Sequence, residues 1–376
     1  MKQQTKTPKC NNNKKGRGSR LLLAFLIALV VTAAVTTAAV FLYHGVLLPS
    51  VEDKPLDDFA SLYGTPVPGG TTVTESPTHS STQPPTNNPS ATPNGTPTIT
   101  PDGSDNPQPT PDNTNPSTQT PIPTETDRPT LPAFERLIQT NKDIAGWLIV
   151  EGIGVNHPVF YTPNNQNYYL YRAPDGSHSS QGSLFMSTGS EINPQAQVLV
   201  IHGHNMHVSG RMFGRMTKFK SYDFMKNNRT FRFDTIYQEG DWKIIGVVTA
   251  SVDMGANDFY YPKNNYANEE EFQDFLYKLR VRSLYQIEDD TRFDDKIVIL
   301  STCDRTDFGK NQRLLIFARR LREGESIYDV TSSMYHKNNT PLMPIEWYRK
   351  HNKSKPSEQT LLENYERFYG PLEVTP

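Results

Sequence analysis

The 376-residue sequence predicts a mainly β fold with added helices: a sheet closing on itself as a barrel, an N-terminal helix, and a long helix before the last two strands. Five apolar runs, GWLIVEGIGVNHPVFY, GSLFMS, AQVLVIHGH, TFRFDTIY and WKIIGVVTASV, follow one another between Gly146 and Val252, parted by turn residues. That is the pattern of an antiparallel or mixed sheet. One segment breaks it: in ANEEEFQDFLYKLRVRSLY, Phe272, Phe275, Leu276 and Leu279 recur at helical spacing.

Taken from the N-terminus, the first 20 residues carry seven Lys or Arg and no acid. Leu21 to Tyr43 follows as 23 residues without a charge. A membrane span needs roughly 20 apolar residues, and the basic flank should stay cytoplasmic with the remainder outside. A cleaved signal peptide is the competing reading, but its apolar region is usually about 7–15 residues. The expected organisation is a basic cytoplasmic segment over 1–20 and an uncleaved transmembrane anchor over 21–43.

Residues 44–131 are expected to be a disordered linker. Pro, Thr, Ser and Asn dominate, so little apolar surface is available to offset the entropy of ordering. About 80 such residues reach roughly 50 Å as a coil and about 250 Å if extended. A glycosylated stalk is the alternative, and either reading makes the stretch a spacer. The overall hydrophobic fraction of 35% and the 30 prolines fit a chain in which part carries no core. A net charge of −2 gives no argument for nucleic-acid binding.

The folded part begins near Pro132. FERLIQTN places Phe134, Leu137 and Ile138 on one helical face. In the later, longer helix, Asn268 and Glu271 read as a capping pair, and the basic end at Lys278, Arg280 and Arg282 suits the helix dipole and reads as a solvated face. KIVILS and RLLIFARR then flank the loop TCDRTDFGKNQ. As a hairpin they would bring Cys303 and Arg313 to the same end of the sheet. Beyond Glu323 the pattern fades, apart from a possible short helix in SEQTLLENYERFYG.

Cys10 and Cys303 are the only cysteines, and the membrane separates them. Cys303 is therefore either a small buried hydrophobe or a reactive thiol. Thiol catalysis needs a thiolate, a proton carrier and a holder for the oxyanion. His204 follows VLVI at another strand end, after Gly203, which permits close approach of the chain. His202 and His207 are rivals. Arg313 is the plausible fixed cation, with a fork of donors.

IHGHNM, LSTCD and RLLIFAR, the last with its arginine ten residues after the cysteine, resemble the sortases. DIAGWLIVEGIGVNHPVFY, NYYL and GSLFM, in that order, resemble class B most closely. The resemblance covers about 190 residues, Phe134 to Leu321, half of the chain. It implies a sortase-type closed β-barrel over 132–322 and a membrane-anchored cysteine transpeptidase of Gram-positive bacteria. It implies His204, Cys303 and Arg313 as the catalytic set, and Gln166, Leu170, Tyr261 and Ser301 as residues binding the sorting signal. Gln166 stands where the family usually has Asn, and His202 where it often has Tyr. The implied reaction cleaves a C-terminal sorting motif after Thr through a thioester. The protein is then joined to a lipid II or peptidoglycan amine, or to a pilin lysine. The set calls for no cofactor and no metal. An extracellular cysteine peptidase and a non-catalytic stalked binding protein are the rival readings. The long linker and the extension over 323–376 are not ordinary features of the family.

Overall fold

The computed structural model describes residues 15–43, 48–64, 128–253, 262–327 and 335–372. In chain order, α1 (Lys15–Leu42) and α2 (Leu48–Ala60) come first. A 3-10 turn then leads into α3 (Glu135–Thr140), followed by β1 (Ile144–Val150), β2 (Val155–Phe160), β3 (Leu184–Met186), β4 (Val198–His202), β5 (Asn205–Met206) and β6 (Arg211–Met212). Next are α4 (Tyr222–Asn227), β7 (Thr230–Thr235), β8 (Asp241–Ser251), α5 (Glu269–Arg282), β9 (Tyr285–Ile287), β10 (Ile297–Cys303) and β11 (Gln312–Arg320). The extension adds β12 (Tyr335–Lys337), α6 (Ile345–His351) and α7 (Glu358–Tyr369).

Eight strands close into a barrel in the order β1-β2-β3-β4-β10-β11-β8-β7. Neighbours are antiparallel except β2–β3 and β4–β10, which run parallel. Side chains alternate between two faces along each strand. On β10, Val298 and Leu300 join the barrel interior, while Ile297 and Ile299 pack outward against α5. The helix presents Phe272, Phe275, Leu276 and Leu279 to that outer face, as its spacing predicts. Its start is capped in both directions: Asn268 Oδ1 accepts from Glu271 N at 2.9 Å, and Glu271 Oε2 accepts from Ala267 N at 3.3 Å.

At the basic end of α5, Lys278 is exposed as expected, but the two arginines are not on a solvated face. Arg282 is buried, and Arg280 stacks 4.7 Å from the Tyr369 ring and donates to Tyr365 Oη. Both tyrosines belong to α7, which lies over this end together with Leu361. The extension supplies an aromatic cover that a helix-by-helix reading cannot see, and arginine stacks readily on such a cover.

Part of the stretch 44–131, expected to be structureless, is ordered on the barrel. Leu56 and Phe59 of α2 are buried, and Phe59 meets Phe160 at 5.6 Å between ring centres. Tyr63 stacks on Trp147 at 4.4 Å and donates to Asp234 Oδ2. Full burial of such side chains is worth about 1.5–3 kcal/mol each, enough to hold a short polar helix in place. Residues 44–47 and 65–127 of that expectation lie outside the described residues, as do 1–14. Leu23–Leu42 is long and apolar enough to cross a membrane and makes no buried contact.

Candidate active site

Cys303 is the last residue of β10, and its Cα partner on β11 is Arg313. Opposed residues of an antiparallel pair share a face, with Cβ atoms about 5 Å apart. Here it is the outer face of the barrel, continuing the rows Ile297–Ile299–Ser301 and Phe317–Leu315 beyond the end of α5. The hairpin inferred from sequence therefore brings thiol and guanidinium together. Both residues are partly buried.

The histidine arrives from β4. This strand runs parallel to β10, with His202 opposite Ser301, so it ends at the same rim. Two of the next three residues are laced to the cysteine strand. Gly203 N donates to Ser301 O at 3.2 Å, Thr302 Oγ1 donates to Gly203 O at 2.8 Å, and Asn205 Nδ2 donates to Cys303 O at 2.7 Å. A Cβ on Gly203 would stand 2.5 Å from Leu184 Cδ2, so only glycine allows this approach. His204 sits between these ties. Its Nε2 donates to Leu170 O at 2.8 Å, and its ring lies 5.4 Å from that of Tyr171. Gly182, at φ +62°, crosses directly over that carbonyl: a Cβ there would be 2.3 Å from Leu170 O.

The two rival histidines differ from His204. His207 is exposed between β5 and β6. His202 Nε2 meets Ser187 Oγ at 2.6 Å, and burial, reinforced by the Arg313 charge, pushes its pKa down to about 4. His157 on β2 is likewise pushed to about 4 by burial and the Arg211 charge, against the opposing pull of Asp57. In both cases the folded pKa lies below the ordinary 6.5. Their contribution to stability is therefore complete above about pH 6.5 and is lost as pH falls toward about 4. The urea midpoint should drop between pH 7 and pH 5, and the double variant H157Q/H202Q should flatten that slope. An unchanged slope in the variant would contradict these assignments.

Arg313 Nη1 donates to Lys310 O at 3.0 Å and Gln312 O at 2.9 Å. Among the described residues, its Nε and Nη2 make no hydrogen bond, which leaves part of the donor fork uncommitted.

The loop between Cys303 and Arg313 is held by a cluster absent from the sequence reading. Asp304 is fully buried, and its Oδ2 receives Lys220 Nζ at 3.0 Å and Gln312 Nε2 at 2.7 Å. Lys220 Nζ also reaches Asp307 Oδ2 at 2.7 Å and Thr306 Oγ1 at 3.0 Å. Gln312 Oε1 accepts from Asp307 N and Phe308 N. Lys220 keeps a raised pKa despite burial, and Asp307 a lowered one, because each stabilises the other's charged form. Asp304 and Gln312 adjoin Cys303 and Arg313, so this cluster sets the spacing of the two. Lys220→Met leaves Asp304 buried without its cation. We expect a loss of about 2–3 kcal/mol, below the figure for a fully buried pair, since the Lys220 side chain is 25% exposed. A fall in kcat of roughly tenfold to a hundredfold at similar KM should accompany it. An unaltered kcat would separate this cluster from the site. No local signal marks Lys220: it lies 84 residues before Asp304.

The four expected sorting-signal residues are scattered in role. Leu170 meets the site through its carbonyl. Ser301 is buried on β10, beside His202 of β4. Gln166 Oε1 accepts from Thr188 N at 3.0 Å, next to Ser187. Tyr261 lies outside the described residues. Among the described residues, no group of His, Cys, Asp and Glu could hold a metal ion.

Comparison with known proteins places these residues in context. The chain is 27% identical over 180 residues to sortase B of Listeria monocytogenes serovar 1/2a, covering 48% of this chain and 70% of that protein. It is 24% identical over 191 residues to sortase B of Staphylococcus aureus, covering 51% and 75% respectively. A Bacillus anthracis crystal structure, described as similar to sortase B, shares 30% identity at a TM-score of 0.46, covering 52% of this chain and 85% of that one. No family model matches the chain.

Proposed function

We propose, from its likeness to the class B sortases, that the chain is a membrane-anchored transpeptidase acting through Cys303, His204 and Arg313. The observation that carries this reading is the strand register: Cys303 faces Arg313 across β10–β11, and the segment bearing His204 is hydrogen-bonded to the same cysteine strand.

Cys303 Sγ attacks the carbonyl carbon of a threonine within a C-terminal sorting motif. The Arg313 guanidinium, with backbone N–H groups, holds the tetrahedral oxyanion. His204 donates a proton to the leaving amine, and the C–N bond breaks to give a thioester. An incoming amine then attacks the thioester carbonyl, His204 takes its proton, and the Cys303 sulfur leaves. His202 suits the proton-transfer role less well, because a group pushed to about pKa 4 is neutral at physiological pH and a poor source of protons. Gln166, Leu170, Tyr261 and Ser301 are proposed to line the path of the sorting motif. The acceptor is proposed to be a cell-wall peptide or pilin amine.

We further propose that α1 anchors the chain with its basic end in the cytoplasm and the barrel outside. The Pro/Thr/Ser/Asn-rich stretch would serve as a spacer. The full chain in detergent, incubated with fluorescent sorting-motif peptides with and without an amine, tests the reaction by product mass. A Cys303 thioester followed by amide ligation supports transfer. Cleavage without ligation for every amine overturns it in favour of hydrolysis.

A further inference from the structure

We infer that the C-terminal extension and the loop after Cys303 together form a binding cleft for a carboxylate-bearing acceptor peptide. The inference rests on the transpeptidase reading above and adds to it the chemistry of the second substrate.

α6 docks beside the catalytic strands. Ser251, the last residue of β8 and the Cα partner of Gln312, donates its hydroxyl to Glu346 Oε1 at 2.8 Å. Tyr348 buries the helix against Val281, Leu342 and Leu361. Between α6 and the loop lies a shallow, solvent-open recess lined by Arg305, Phe308, Gly309, Glu346, Arg349 and Lys350. Three cations and one carboxylate line it, a net charge of +2. Glu346 is already engaged by Ser251 through one oxygen, and its Oε2 has no partner. Arg305, Arg349 and Lys350 are exposed and form no ion pair with the described residues. Arg305 follows Cys303 by two residues, so their Cα atoms are at most about 7 Å apart.

Location separates this cleft from Gln166 and Leu170, two of the residues proposed for the sorting-signal path. In the barrel order β3-β4-β10-β11-β8, Gln166 and Leu170 are tied to the segments after β3 and β4, on one side of Cys303. The cleft adjoins β11 and β8, on the other side. A net positive cleft with unpaired cations concentrates and orients an anionic partner, and that attraction weakens with salt.

The test uses the full chain in detergent and a sorting-motif peptide that forms the thioester. Two acceptors compete: triglycine amide, and the same peptide extended by two glutamates. The readout is the ratio of their aminolysis rates. The wild-type ratio should favour the acidic acceptor and decline between about 0.05 and 0.5 M salt. In R349E/K350E the ratio should fall at least roughly tenfold. Arg305→Glu, on the opposite wall, should act in the same direction and serves if the double variant does not fold. Ratios within twofold of wild type in both variants, or a wild-type preference for the neutral acceptor, overturn the cleft alone. A wild-type chain that forms no thioester with any motif overturns the transpeptidase reading and this inference with it.

Discussion

Cys303→Ala is expected to form no thioester and to lower turnover at least about 10⁴-fold, to the level of the uncatalysed reaction. The substitution removes one sulfur from a partly buried strand end and leaves the register of β10 against β4 and β11 unchanged. The ties from Gly203 and Asn205 go to backbone carbonyls, which alanine retains. The fold should therefore survive, with a stability change of about 1 kcal/mol or less. A thermal melt checks the fold, and intact mass with a donor peptide checks the thioester. Turnover within tenfold of wild type in a folded Cys303→Ala chain would sink the covalent mechanism.

Arg313→Lys is the second large effect: a fall in kcat of roughly 10²–10³-fold with a much smaller change in KM. Lysine keeps the charge but not the planar fork, so it cannot hold both the loop carbonyls and an oxyanion. Arg313 Nη1 already donates to Lys310 O and Gln312 O. A lysine ammonium reaching for those carbonyls would turn away from the substrate. His202 offers an independent readout. Its pKa is lowered by burial and by the Arg313 charge, so Arg313→Ala should raise it while Arg313→Lys should raise it less. An NMR titration of the His202 ring follows this without substrate. Near-normal kcat in Arg313→Lys would remove Arg313 from the oxyanion role, whatever the titration shows.

Legibility in the sequence followed the range of each interaction. The β10–β11 hairpin was readable because two β-branched, apolar runs flank one short loop, so Cys303 and Arg313 had to meet if the strands paired. Helix α5 was readable from its apolar spacing and its Asn268–Glu271 cap. Apart from the family resemblance of IHGHNM, His204 is marked in the sequence by its position at a strand end. What brings its segment to Cys303 is the parallel pairing of β4 with β10, about 100 residues away in the chain. Lys220, Asp304 and Gln312 carried no signal, since a lysine before a loop and an aspartate after a cysteine are ordinary surface residues until the fold buries them. Nor does the sequence near α5 show that Arg280 is covered, since its aromatic partners Tyr365 and Tyr369 lie in an extension whose own pattern is weak.

Properties that depend on neighbours along the chain can be read from the residues: the apolar helix near the N-terminus, the strands with their alternating faces, the amphipathic helix and the hairpin that pairs Cys303 with Arg313. Tertiary structure alone decided that β4 lies beside β10, that His202 is pushed toward neutrality while His204 leans on Leu170, that Lys220 anchors the loop, and that α2 and α7 cover surfaces that would otherwise be wet. The physical reason is that periodicity and capping are set by local backbone geometry. Burial, desolvation and ion pairing arise only when distant segments exclude water from one another.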